Sequence, residues 1–128
     1  MRHLLDTHTF LWWVTDDRQL SAGVRRVIGS PEHEILFSAA SAWELAIKAQ
    51  LGRIGLPPDP AEFIRRQLII NGFVALPITL EHAMRVARLP PLHRDPFDRI
   101  LIAQALLENV PLLTADRLIA QYPVRVVW

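Results

Sequence analysis

The sequence predicts an α/β domain: a central parallel sheet of about five short strands flanked by helices. Three observations carry this. Short apolar segments rich in branched residues alternate with helical stretches along the chain. The helical stretches open on polar caps followed by proline or acid, and several close on glycine. A hydrophobic content of 51% over 128 residues can cover both faces of one sheet, so residues 1–128 read as one domain.

The first strand is expected at residues 3–6 (HLLD), followed by a helix from about Thr9 that carries Phe10, Leu11, Trp12 and Trp13. Phe10 and Trp13 share a helical face and read as core, while Leu11 and Trp12 lean another way. Ser21 opens SAGVRRVIG, which stops at Gly29, and the second strand follows at 34–38 (EILFS). Ser41 and Glu44 match a capping box for the next helix. Along that helix Trp43, Ile47 and Leu51 form a stripe expected to face the core, with Glu44 beside it in the first turn. Lys48 lies one turn on, where it can pair with Glu44 or contact a phosphate. Asp59-Pro60-Ala61-Glu62 starts a helix that Gly72 ends, and Gly52 marks the stop before it. Strands are expected at 73–77 (FVALP), 110–114 (VPLLT) and 124–127 (VRVV). Between them Thr79 caps LEHAMRVARL, Asp95-Pro96-Phe97-Asp98 repeats the cap–proline–acid pattern, and Asp116 precedes a short helix, RLIAQY.

Composition narrows the chemistry. No apolar run reaches the ~20 residues of a membrane span. The start MRHLLDTH does not read as a signal peptide. The absence of cysteine removes disulfides, thiolate nucleophiles and zinc–sulfur sites. A cytoplasmic protein is expected. The net charge is only +1, a weak sign of nucleic-acid binding. Lys48 is the only lysine and all other basic residues are arginine, which grips phosphate with two parallel hydrogen bonds. Arginine-biased coding explains the same pattern.

Four acids fall at junctions between strand and helix: Asp6, Glu44, Asp98 and Asp116. In open parallel sheets ligands bind beyond the carboxyl ends of the strands, so these acids can converge. Each also has a structural explanation. Asp6 and Asp116 can cap helices, Glu44 can close a capping box, and Asp98 favours the positive end of a helix dipole. The set carries more weight than its members. Two carboxylates about 4 Å apart repel by on the order of 4 kcal/mol at an effective dielectric near 20. A fold that gathers several needs a cation, and oxygen ligands suit Mg²⁺ or Mn²⁺. That points to metal-assisted chemistry on phosphate esters. No glycine-rich phosphate loop and no G-x-S-x-G elbow is present, and the five histidines show no zinc spacing. His8, near Asp6, reads as a polar residue of the turn.

Read together, LLDTHTFLWW, SAASAWELAIK, HRDPFDRILIAQAL and LLTADRLIAQY resemble a PIN domain of the VapC-type toxins of toxin–antitoxin pairs. The resemblance spans essentially the whole chain. It implies a small α/β ribonuclease that binds Mg²⁺ or Mn²⁺ through Asp6, Glu44, Asp98 and Asp116 and cuts RNA with a metal-activated water, leaving a 5′-phosphate and a 3′-hydroxyl. It gives Thr7 and Thr114 the role of orienting the acids and Asp95 that of an outer ligand. The family usually has Asn or Ser where Thr7-His8 stand. Arg94, Arg99, Arg117 and Lys48 are candidates for holding RNA phosphates. The resemblance also implies a homodimer and an antitoxin protein docked over the first helices, for which Leu11 and Trp12 are candidate contacts. Three alternatives remain open: an RNA-processing nuclease outside any toxin pair, a receiver-like regulatory domain, and a PIN-like module without catalysis. A receiver needs an acceptor Asp after the middle strand, but FVALPIT has none.

Overall fold

The computed structural model describes residues 1–128. Five apolar segments pair edge to edge: β1 (Arg2–Leu5), β2 (Glu34–Ser38), β3 (Val74–Leu76), β4 (Leu112–Leu113) and β5 (Val126–Val127). All neighbours are parallel, in the order β3-β2-β1-β4-β5. Leu4 stands opposite Leu36 on one side and Leu112 on the other. The chain builds outward from β1 through β2 to β3, then returns to place β4 on the far side of β1. The strand order therefore switches between β1 and β4, where ligands gather in such sheets.

Side chains alternate across the sheet, so its two faces bury different residues. Leu4, Leu36 and Leu112 pack with Leu101, Ile102 and Ala105 of a long helix. Leu5, Phe37 and Leu113 face the other way, onto Phe10, Val24, Leu45 and Ile64. Each such leucine contributes about 1.5–3 kcal/mol by leaving water.

Six helices cover these faces: α1 (Thr7–Val14), α2 (Ala22–Gly29), α3 (Ala39–Gln50), α4 (Pro60–Asn71), α5 (Leu80–Val86) and α6 (Pro96–Glu108). A 3₁₀ turn, Ile119–Gln121, precedes β5. None is long and apolar enough to cross a membrane. Ser21, Asp59, Thr79 and Asp95 cap their helices as the sequence predicts, each accepting from a first-turn N–H. Gly52 and Gly72 take φ of +70° and +66°, a left-handed conformation that glycine adopts without steric cost.

Three local expectations are corrected. The cap of α3 is Ser38, the last residue of β2, whose hydroxyl accepts from Ala40 N. Ser41 lies inside the helix, so the expected Ser41–Glu44 capping box is absent; a capping box forms instead between Thr79 and His82. Helix α1 starts at Thr7, and Asp6 precedes it without a side-chain capping bond. The stripe of Trp43, Ile47 and Leu51 does not face the core, since Trp43 and Leu51 are each 60% exposed. Helix α3 instead buries Ala40, Ser41, Glu44 and Leu45. This face turns partly toward the polar crevice, so two of its four members are hydrophilic.

A buried amide joins the elements below that crevice. Gln104 of α6 accepts from Ser38 Oγ at 2.5 Å, and its Nε2 donates to Pro77 O at 3.3 Å and faces His82 Nδ1 at 3.4 Å. It thereby ties the end of β2 and the cap of α3 to α6 and to the exit of β3.

Candidate metal centre

Asp6 leaves β1 at its carboxyl end and is 4% exposed. The parallel pairing of β1 with β4 brings Thr114 beside it, and Thr114 Oγ1 donates to Asp6 Oδ2 at 2.7 Å. The same hydroxyl accepts from Asp116 N at 3.0 Å. Asp6 Oδ1 is buried without a hydrogen-bond partner. Burial pushes the Asp6 carboxyl above its ordinary range, and the nearby Glu44 adds to this against the hydrogen bond from Thr114.

Glu44 is 2% exposed and lies in the second turn of α3, one turn later than its sequence reading. Lys48 Nζ contacts its Oε2 at 2.6 Å, the i,i+4 pair expected on a helix. Its Oε1 has no partner. Ser41, on the same buried face, accepts from Thr7 Oγ1 at 2.8 Å, so Thr7 pins the start of α1 to α3 rather than contacting an acid side chain.

Asp98 occupies the first turn of α6. Burial, then the charges of Asp6, Asp95, Glu44 and Asp116, push its carboxyl up to about 8. The charges of these acids thus all reach Asp98, while the tight cluster of ligand atoms is His93, Asp98 and Asp116, without Asp6 or Glu44. Asp95 itself caps α6, its Oδ1 accepting from Phe97 N and Asp98 N. Asp116 follows β4, and its Oδ1 accepts from Leu118 N at 2.8 Å. Burial raises Asp116, but the hydrogen bonds from His93 and Leu118 outweigh it and hold the carboxyl below its ordinary value.

His93 is the residue the sequence did not single out. Its Nε2 lies 3.0 Å from Asp98 Oδ2 and 2.9 Å from Asp116 Oδ2. Its Nδ1 accepts from Asp95 N, which leaves Nε2 as the N–H that donates to the two carboxylates. The spacing His-x-Asp-x-x-Asp was a visible signal, but the contact with Asp116 spans 23 residues and depends on the switch in strand order. His8 approaches from α1: it packs against Trp12 at 5.9 Å between ring centroids, and the two line a cavity of about 190 Å³ with Asp6, Ala115 and Asp116.

The residues fit a divalent cation. Two buried carboxylate oxygens, Asp6 Oδ1 and Glu44 Oε1, lack any partner, a costly arrangement unless something positive faces them. One ligand atom each from His93, Asp98 and Asp116 lies within 4.8 Å of the others. Carboxylate oxygens dominate the set, which suits a hard ion.

The candidate phosphate contacts divide. Arg94 and Arg117 are exposed beside the acids. Lys48 is engaged by Glu44. Arg99 is not available to a phosphate: its guanidinium donates to the carbonyls of Val86, Leu89 and Pro90 and to Tyr122 Oη, bracing the loop before α6. Leu11 and Trp12 are partly buried against the core, and Trp12 also meets Trp128 edge to face at 5.7 Å between ring centroids.

Comparison with known proteins places the chain. Among solved structures it is similar to VapBC2 from Rickettsia felis bound to a DNA fragment from its promoter, with a TM-score of 0.71 at 12% identity, over 99% of this chain and 98% of that one. It is also similar to FitAcB from Neisseria gonorrhoeae, with a TM-score of 0.65 at 18% identity, over 98% and 96% of the two chains. At such identities the likeness is one of fold. No curated protein matches it. The family model described as PIN domain matches residues 3–124, and the chain belongs to the PIN domain family.

Proposed function

We propose that this protein is a metal-dependent endoribonuclease of the VapC type, the toxin of a toxin–antitoxin pair. The observation that supports it most is the convergence of Asp6, Glu44, Asp98 and Asp116, with two buried carboxylate oxygens left unpaired. Those four acids would hold Mg²⁺ or Mn²⁺. When bound, such an ion lowers the pKa of a water toward neutrality and offsets charge on a phosphate in transfer.

The remaining residues orient and hold. Thr114 fixes one oxygen of Asp6 and so aims the other. Lys48 does the same for Glu44 through Oε2. His93 reaches both Asp98 and Asp116 through one N–H and holds the two carboxyls together. Arg94 and Arg117, exposed and next to the acids in sequence, would meet phosphates of the bound strand. An antitoxin over α1, touching Leu11 and Trp12, and a second copy of the chain are the proposed protein partners; similarity in fold to VapBC2 and FitAcB supports the antitoxin alone. A cytoplasmic location is part of the same proposal.

Incubation of purified protein with total RNA, with and without Mn²⁺, tests the proposal. Cleavage should need the ion, leave 5′-phosphates and disappear in Asp98→Asn. Cleavage that survives chelation or that substitution would remove the metal mechanism. The absence of an antitoxin gene beside this one would favour an RNA-processing nuclease with the same chemistry.

A further inference from the structure

Trp43 and Phe97 each stand immediately before an acid of the site, Trp43 before Glu44 on α3 and Phe97 before Asp98 on α6. Their ring centroids are 5.2 Å apart and their planes cross at 82°. This edge-to-face contact is a favoured aromatic geometry, and it leaves at least one face of the indole uncommitted to Phe97. Trp43 is 60% exposed, while Phe97 is half-buried. Trp43 does not serve the core, because α3 packs inward through Ala40, Ser41, Glu44 and Leu45. A large ring is thus braced between the helices that carry Glu44 and Asp98, with its surface open.

We propose that Trp43, held by Phe97, is a stacking platform for an unpaired nucleobase of the strand being cut, next to the scissile phosphate. This rests on the nuclease function above and adds a substrate-positioning residue to it. The acids and their cation engage phosphate, so the neighbouring nucleotide has its base free to seek a partner. A planar base matches one exposed indole face. A stable protein contact needs about 800 Å² per partner, far more than a single ring supplies. Stacking tolerates every base but requires it out of a duplex, so the platform selects unpaired RNA rather than a sequence.

The test uses a single-stranded RNA oligonucleotide with a mapped cleavage point, Mn²⁺, and the variants Trp43→Leu and Trp43→Phe. Trp43→Leu should raise KM about tenfold, with kcat within a factor of about two. Trp43→Phe, which keeps a π face, should recover most of the loss. Abasic substitution beside the cleaved bond should weaken the wild type by a similar factor and leave Trp43→Leu unaffected. Because Trp43 is mostly exposed and loses only its contact with Phe97, the melting temperature should fall by no more than a few degrees, so misfolding is distinguishable. If the wild type cleaves but KM is unchanged in Trp43→Leu, the platform is wrong. It is equally wrong if Trp43→Leu alters only self-association or antitoxin binding, which would make the ring a protein contact. If the wild type cleaves no RNA, the nuclease function fails first.

Discussion

Thr114 Oγ1 lies 2.7 Å from Asp6 Oδ2, joining residues 108 positions apart in sequence. The bond exists because β4 is inserted beside β1, and Leu5 pairs with Leu113. It is the only hydrogen bond the Asp6 carboxyl receives from another side chain, and the other oxygen is unpaired. Thr114→Val should therefore lower stability by about 1–3 kcal/mol and weaken Mn²⁺ binding. Thr114→Ser should retain most of both. Urea melts with metal titration check this, and equal loss in the two variants would assign the effect to packing.

Stability without metal should fall as pH rises. Asp98 is raised from 3.8 to about 8 by burial and by Asp6, Asp95, Glu44 and Asp116. Its folded form holds a proton that the unfolded chain has released, so its contribution is full below 3.8 and is lost as pH rises to about 8. Asp6 is raised as well and acts in the same direction. His3, lowered from 6.5 by burial and by His33, acts oppositely, and its effect is complete above its ordinary value. The melting temperature of chelated protein should thus drop from pH 6.5 to 8 and then level. Asp98→Asn should flatten most of that slope. Metal displaces the proton on Asp98, so apparent Mn²⁺ affinity should climb over the same interval.

His93 should matter to the metal-free protein. One N–H reaches both Asp98 and Asp116, in place of a cation. His93→Ala should cost about 1–3 kcal/mol in chelator, and added Mn²⁺ should restore much of the loss. His93→Gln keeps a terminal N–H donor and should be milder. A variant unaffected in chelator would show that His93 does not hold these carboxylates together.

Much of this was legible from the chain. Asp59-Pro60 and Asp95-Pro96 announced α4 and α6 because a cap and a first-turn proline act locally. The acids could be grouped because each follows a strand or opens a helix. The α3 start was misread because Ser38 and Ser41 are both plausible caps three residues apart. The length of β2, set by pairing with β1 and β3, selects Ser38. Its buried face was misread because it borders a polar crevice, so apolar periodicity pointed to Trp43 and Leu51 on the wrong side. The roles of His93 and Arg99 depend on partners brought together only by the loop before α6 and the strand order, which no local pattern encodes.

The two serines offer a direct check of that correction. Ser38→Ala removes the α3 cap and the bond to Gln104, and should cost about 1–2 kcal/mol. Ser41→Ala leaves the buried Thr7 hydroxyl without its acceptor and should cost about 1–3 kcal/mol. The double variant Thr7→Val with Ser41→Ala should be less destabilised than the sum of its parts, as denaturant melts would reveal.

The central claim is that these acids share one cation site, and calorimetric titration of Mn²⁺ into metal-free protein tests it most directly. The wild type should bind, Asp6→Asn and Asp98→Asn should each weaken binding by at least about tenfold, and both should melt higher than the wild type in chelator because an amide needs neither to take up a proton nor to bury a charge on folding. Equal Mn²⁺ affinity in all three proteins would contradict the account.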